Sequence, residues 1–105
     1  MSQLIEEQWH FLEVLRTCNK KQKRALLKTI DKKQLNALSE IAHNVIIGTI
    51  ILTPIEKNRL KKYKKILTIL GKKKATRRER LRALYRGSSA VVHLLEVVAS
   101  RLWKK

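Results

Sequence analysis

The residues of this sequence best suited to chemistry are lysines and arginines concentrated in one stretch. Residues 57–86 contain fourteen Lys and Arg and one acidic residue, Glu79. Ammonium and guanidinium groups at this density neutralise the phosphates of a nucleic acid and release its counterions. The sequence therefore predicts phosphate contacts from eleven side chains: Lys57, Lys61, Lys64, Lys65, Lys72, Lys73, Lys74, Arg77, Arg78, Arg80 and Arg82.

The position of the arginines in this stretch also favours an anionic partner. Four of them begin the helix predicted after Thr76, where the positive end of the helix dipole lies. Like charges three or four residues apart on a helix cost roughly a few tenths of a kcal/mol per pair. A bound anion removes that cost, whereas a surface kept charged only for solubility mixes both signs. We therefore expect this region to bind an anion.

Residues with catalytic or metal-binding potential are few and scattered. Cys18 lies near Lys20 and Lys21 but has no histidine close to it in the sequence. No spacing resembles a zinc site, a Gly-rich phosphate loop, a nucleophile elbow or a pair of catalytic carboxylates. We therefore predict a protein that is not an enzyme and uses no metal or cofactor. The side chains considered for such chemistry are Cys18, His10, His43, His93, Ser39 and the eight acidic residues.

Length and composition predict one small folded domain with a polyanionic partner. The 105 residues suffice for a single hydrophobic core. The formal net charge of +17 exceeds the magnitude of about 2–8 that keeps a small domain soluble. A hydrophobic content of 44% is that of a folded chain. One Cys excludes a disulfide framework, and three Gly with one Pro disfavour a turn-rich β fold.

The charge is distributed unevenly within this domain. Residues 1–56 carry a net charge of +2 and residues 57–105 carry +15. We therefore predict one helical domain, residues 1–105, in which residues 1–56 form a near-neutral scaffold, residues 57–86 the basic surface and residues 88–105 an apolar C-terminal helix.

Membrane-spanning and secretory segments are not expected. The N-terminus is acidic where a signal peptide is basic. The longest uncharged stretch, residues 41–55, is short and interrupted by Gly48 and Pro54. We therefore expect a soluble protein or one that at most lies on a membrane surface.

Helix signals recur along the whole chain, and no stretch shows the sustained alternation of a strand. Predicted helix ends fall at Gly48, Gly71 and Gly87. The sequence predicts a compact all-α bundle of five or six short helices. The β-branched residues 45–52 are the one ambiguous stretch, for which a short extended connection is the alternative to helix. The predicted N-terminal capping residues are Ser2, Asn19, Asp31, Thr53, Thr76 and either Ser88 or Ser89.

In two of these helices the apolar residues form a stripe along one side. One begins after Ser2 and carries an apolar stripe through Leu15, and the other runs from Pro54 to Leu70. In the second helix the lysines lie broadly opposite the apolar stripe. The lysines can therefore face a ligand while the stripe is buried.

Aromatic residues give little sign of base reading. The five aromatic side chains all fall at predicted core or boundary positions and are not interleaved with arginine as a stacking platform. Binding to the backbone, independent of base sequence, is therefore the expected mode. The five are Trp9, Phe11, Tyr63, Tyr85 and Trp103.

A family resemblance covers about three quarters of the chain. It is carried by residues 11–15 (FLEVL), 20–27 (KKQKRALL), 37–45 (ALSEIAHNV) and 52–54 (LTP), together with Gly48, Lys57, Leu60, Tyr63, Lys64 and the basic stretch through Gly87. On these residues the sequence resembles small basic proteins of polinton- and adintovirus-like double-stranded DNA elements. The resemblance implies an association with capsid-type proteins and packaged DNA, in the virion and the host nucleus. The family's Gly-rich or strongly apolar tail is replaced here by Ser88-Ser89 and a charged amphipathic ending.

The function expected from these observations is sequence-independent binding of nucleic acid, with double-stranded DNA favoured over RNA. The protein is expected to condense a viral genome or line a capsid. One alternative is a structural protein that docks on an acidic capsid surface and forms homo-oligomers through its first and last helices. The other is a membrane-active virion protein that uses residues 88–105 on an anionic membrane surface.

Overall fold

The computed structural model describes the backbone of residues 3–102 and, within the helices, the side chains of residues 3–99. This part of the chain contains eight α-helices and no strand, which confirms the all-α class. The radius of gyration is 12.5 Å, close to the ~13 Å of a folded domain of about 100 residues. The helices are α1 (Gln3–Glu7), α2 (Trp9–Thr17), α3 (Lys20–Lys28), α4 (Lys32–Ile46), α5 (Pro54–Lys61), α6 (Lys64–Gly71), α7 (Arg77–Arg86) and α8 (Ser88–Leu102).

The expected count of five or six helices was wrong for the described residues because the helix predicted after Ser2 and the helix predicted from Pro54 to Leu70 are each divided in two. Gln8 separates α1 from α2 with φ −96° and ψ 9°, and Tyr63 precedes α6 with φ −102° and ψ 6°. The Tyr63 N–H donates to the Leu60 carbonyl, 3.0 Å away and three residues back, which tightens the turn there. Neither break contains Gly or Pro, so the sequence carries no local signal for it.

Four of the predicted helix starts are confirmed as complete capping boxes. At α3, α4, α5 and α7 the capping side chain accepts the N–H of the third helical residue, whose own side chain accepts the N–H of the capping residue. These caps are Asn19, Asp31, Thr53 and Thr76. Ser2 lies outside the described residues.

The C-terminal helix supplies much of the hydrophobic core. Six of the α8 side chains that the structure describes, residues 88–99, are buried, and the helix packs against α2, α5 and α7. Elsewhere in the fold, α4 packs against α1 and α6. A membrane-active role for α8 therefore requires its apolar face to leave the core. The buried side chains of α8 are Ala90, Val91, Leu94, Leu95, Val97 and Val98.

The connection between α4 and α5 contains turns and irregular backbone but no strand. Gly48 has φ +83°, which favours glycine, and ends α4 close to the predicted position. The Ile50 N–H donates to the Asn44 carbonyl at 3.2 Å and folds the connection back on the end of α4. Several isoleucines in this region remain exposed as a result.

Candidate nucleic-acid interface

The eleven predicted phosphate-binding residues are at the surface. They lie on α5, α6, α7 and the loop before α7; ten are exposed and Arg80 is partly buried. Arg16 forms an ion pair with Glu13, and Arg59 forms one with Glu96. Neither pair involves one of the eleven, which lie in a stretch whose single acidic residue is Glu79.

The structure joins part of this set into one surface. Arg80 Nη2 donates to the Lys72 carbonyl at 2.9 Å, and α6 packs against α7. The loop lysines 72–74 therefore lie beside the start of α7. By contrast, Lys57, Lys61 and Lys64 line a separate groove between the α4–α5 connection and α5. The predicted set thus divides into a cluster around α7 and a row of lysines along α5 and the start of α6.

Two of the predicted contacts already have partners within the protein. Arg77 Nη2 donates to the Ile30 carbonyl at 2.7 Å, which ties α7 to the turn between α3 and α4. Arg80 binds the Lys72 carbonyl, and its Nε is buried without a hydrogen-bond partner. These hydrogen bonds from charged groups hold α7 in place. Arg78 and Arg82, which have no such contact among the described residues, are the better candidates for phosphate binding.

Glu79, the one acidic residue within residues 57–86, takes part in the capping box of α7. Glu79 Oε1 accepts the Thr76 backbone N–H at 2.9 Å, and the Glu79 N–H donates to Thr76 Oγ1 at 3.1 Å. The hydrogen bond from the Thr76 backbone lowers the pKa of Glu79 below its ordinary value of 4.5, and the Thr76 side chain and the charges of Lys72 and Arg82 lower it further. Glu79 therefore stabilises the start of α7 as part of its capping box, and its charge interacts with those of Lys72 and Arg82.

Replacing Glu79 with Gln is expected to make the protein less stable only above acidic pH. Glutamine keeps the capping oxygen but removes the charge. Because the pKa of Glu79 is lowered in the folded state, its charge adds stability above about pH 4.5 and loses that effect as pH falls through the lowered pKa. Urea denaturation from pH 7 to 2.5 checks this. A difference between the two proteins that persists unchanged at pH 2.5 contradicts the role of the charge.

A second basic element, missed by the sequence analysis, lies beside α7. The Arg77 bond to Ile30 and a 3.4 Å hydrogen bond from Tyr85 Oη to the Leu27 carbonyl place α3 along α7. Residues 20–33 carry seven basic residues and one acidic residue, Asp31, which caps α4. The net charge of residues 1–56 is close to zero because acidic residues elsewhere in this half offset the cluster. The net charge of residues 20–33 alone shows it. Its members are Lys20, Lys21, Lys23, Arg24, Lys28, Lys32 and Lys33.

Tyr85 departs from the expected placement of the aromatic residues. It is 49% exposed and lines a shallow groove along α7 together with four arginines and Leu81. One aromatic ring is therefore interleaved with arginine after all. The arginines of this groove are Arg77, Arg78, Arg82 and Arg86.

The residues considered for catalysis are not assembled into a site. Cys18 donates its thiol to the Leu15 carbonyl at 3.6 Å, and Ser39 is buried within α4. The His93 ring stacks on Tyr63, with ring centroids 5.3 Å apart. Within the described residues no three His, Cys, Asp or Glu side chains lie close enough together to hold a metal ion.

These features define a small all-α protein with an exposed basic surface around α7. Comparison of the chain with protein-family models, curated proteins and solved structures finds no match. None of the helices within residues 3–102 has both the length and the apolar character needed to cross a membrane.

Proposed function

We propose that this protein binds nucleic acid, double-stranded DNA above all, through the phosphate backbone and without base specificity. The observation that carries the proposal is the exposed basic surface formed by the loop 72–74 and α7. The only acidic side chain within residues 57–86 is Glu79, which caps α7, so a single negative charge stands against fourteen positive ones. Phosphates would supply the missing negative charge.

The neighbouring helix α3 supports a contact with an extended polyanion. One hydrogen bond from α7 to α3 and one to the turn after α3 place a second group of basic residues beside the first. A small anion would occupy only part of such a surface, whereas a duplex presents phosphates on both strands at regular spacing. Backbone contacts of this kind fix the position of a protein on DNA and carry no base information.

The biological role we propose is condensation of a viral genome or the lining of a capsid. This part of the proposal is supported by the resemblance to the small basic proteins of polinton- and adintovirus-like elements, whose genomes are packaged double-stranded DNA. Such a role requires a high density of positive charge and no catalytic site.

The salt dependence of binding tests the proposal. For about five to eight neutralised phosphates, log K against log salt concentration should have a slope of roughly −4 to −7. Fluorescence anisotropy should compare duplex DNA, single strands and anionic vesicles at the same salt concentrations. A slope near zero, or more than a few-fold preference for one duplex sequence over another, would overturn the proposal.

A further inference from the structure

A concentration of exposed isoleucines lies where α4 ends and α5 begins. Ile51 and Ile55 are 78% and 76% exposed, and Ile46 and Ile47 are 43% and 58% exposed. Exposed apolar side chains are common singly, but clusters mark sites of interaction. Nucleic-acid binding gives these residues no role, because phosphates cannot stabilise exposed aliphatic groups.

The isoleucine region borders a groove with two chemically different sides. The groove has a volume of about 770 Å³. Its apolar side consists of residues from the end of α4, the α4–α5 connection and the buried face of α5 and α6. Its other side is a row of three exposed lysines, Lys57, Lys61 and Lys64. The apolar lining residues are Val45, Ile46, Ile50, Ile51, Leu52, Pro54, Leu60 and Leu67.

We propose that this groove binds an acidic amphipathic helix of a partner protein. An occupant must bring apolar side chains to cover the isoleucines and carboxylates to meet the lysines. Lys57 and Lys61 are one helical turn apart on α5, and Lys64 is the first residue of α6. A helix with an apolar face beside an acidic face carries both groups at matching intervals, as helices bound in grooves do.

Charge and shape favour this occupant over others. A second copy of this chain would bring a further net charge of +17 to a groove already lined by lysines. A nucleic acid offers phosphates but no aliphatic surface for Ile46 and Ile51. A lipid bilayer offers both phosphates and aliphatic chains, but its surface does not enter a concave groove as the side chains of a helix do. The inference stands on the groove alone and does not depend on DNA binding.

The test uses the full chain and a fluorescein-labelled synthetic helix of about eighteen residues, five turns, with leucine on one face and glutamate elsewhere. Two peptides serve as controls: one has the same composition with leucines distributed around the helix, and the other has lysine in place of glutamate. We expect micromolar binding, a Kd of about 1–100 µM, for the first peptide and at least tenfold weaker binding for both controls.

Variants of the protein locate the binding site. Ile51→Ser is expected to weaken binding about fivefold, and Lys57→Gln with Lys61→Gln about tenfold. The matched pair Lys72→Gln with Lys73→Gln removes the same charge outside the groove and should change binding less than about twofold. All of these side chains are exposed, and circular dichroism and thermal denaturation of Ile51→Ser verify that its fold is intact.

Several outcomes would overturn the inference. One is no binding of the leucine–glutamate peptide below about 100 µM. Others are equal binding of the distributed-leucine peptide, or an equal loss in the Lys72 and Lys73 variant. Binding to vesicles of phosphatidylserine and phosphatidylcholine that depends on Ile51, with no peptide binding, would instead assign the region to a lipid surface. Failure of duplex binding alone leaves the peptide result intact and refutes only the proposed function.

Discussion

Replacing five basic residues around α7 with glutamine is expected to weaken duplex DNA binding about 10²–10³-fold at ~0.1 M salt. Each lost phosphate contact also makes the slope of log K against log salt concentration less negative by about 0.9, so the slope should change by up to about 4.5. The five substitutions are Lys72→Gln, Lys73→Gln, Lys74→Gln, Arg78→Gln and Arg82→Gln.

The choice of these five separates binding from folding. All five side chains are exposed. Arg77 and Arg80 are left unchanged because they donate hydrogen bonds to the Ile30 and Lys72 carbonyls, and their loss would disturb the position of α7. Substitutions at exposed sites usually alter the free energy of unfolding by less than about 0.5 kcal/mol each. Thermal denaturation therefore has to show that the variant remains folded.

A charge-preserving variant is the matched control. Exchanging lysine for arginine and arginine for lysine at the same five positions keeps the charge, and should retain the salt slope and most of the affinity. Anisotropy titrations of one labelled duplex over a series of salt concentrations compare the three proteins. If the glutamine variant kept the slope of the unmodified protein, these residues would not be phosphate contacts.

Substituting Gly71 with Ala is expected to reduce the free energy of unfolding by about 2–4 kcal/mol. A Cβ atom at this position would lie 2.7 Å from the His43 backbone nitrogen, 2.9 Å from the His43 Cα and 3.0 Å from the Ala42 carbonyl carbon. These are backbone atoms within α4 and cannot rotate away, so α6 has to move from α4. A loss of this size lowers the melting temperature by roughly 10–20 °C in a domain of about 100 residues.

Gly87 provides the comparison for Gly71. A Cβ atom there would also be too close to a neighbour, but that neighbour is the side-chain end of Ile66, which can change its conformation. We therefore expect Gly87→Ala to cost less than Gly71→Ala, about 1–2 kcal/mol. Urea denaturation of both variants measures the difference. Equal losses would contradict a rigid contact between α4 and α6 at Gly71.

The helix boundaries show how far local sequence determines this fold. Thr53 and Thr76, each followed three residues later by glutamate, predict helix starts that the structure confirms, because a capping box involves only residues close in sequence. The breaks at Gln8 and Tyr63 were not predicted. No local breaker occurs there, and an apolar pattern continues across both positions, so the packing of each half-helix decides where the helix divides.

The reason for glycine at position 71 also could not be predicted from the local sequence. The sequence correctly predicts that a helix ends there, and the expected reason was the usual glycine C-cap. Its φ is not positive, and Gly48 is the one described glycine with that conformation. The reason for glycine at position 71 is the approach of α4, which involves residues nearly thirty positions away and leaves no trace in the local sequence.

The sequence by itself determined the all-α class, four capping boxes and the amount of positive charge, because helix periodicity, capping and composition are local properties. The tertiary structure decided how that charge is arranged. It divided the lysines of α5 from the cluster around α7, assigned Arg77 and Arg80 to backbone carbonyls, and brought α3 beside α7. It also left Ile51 and Ile55 exposed beside a row of lysines while burying the apolar face of α8. These outcomes depend on which helix faces are buried in the one hydrophobic core. That choice involves contacts between residues far apart in the sequence, so local sequence does not determine it.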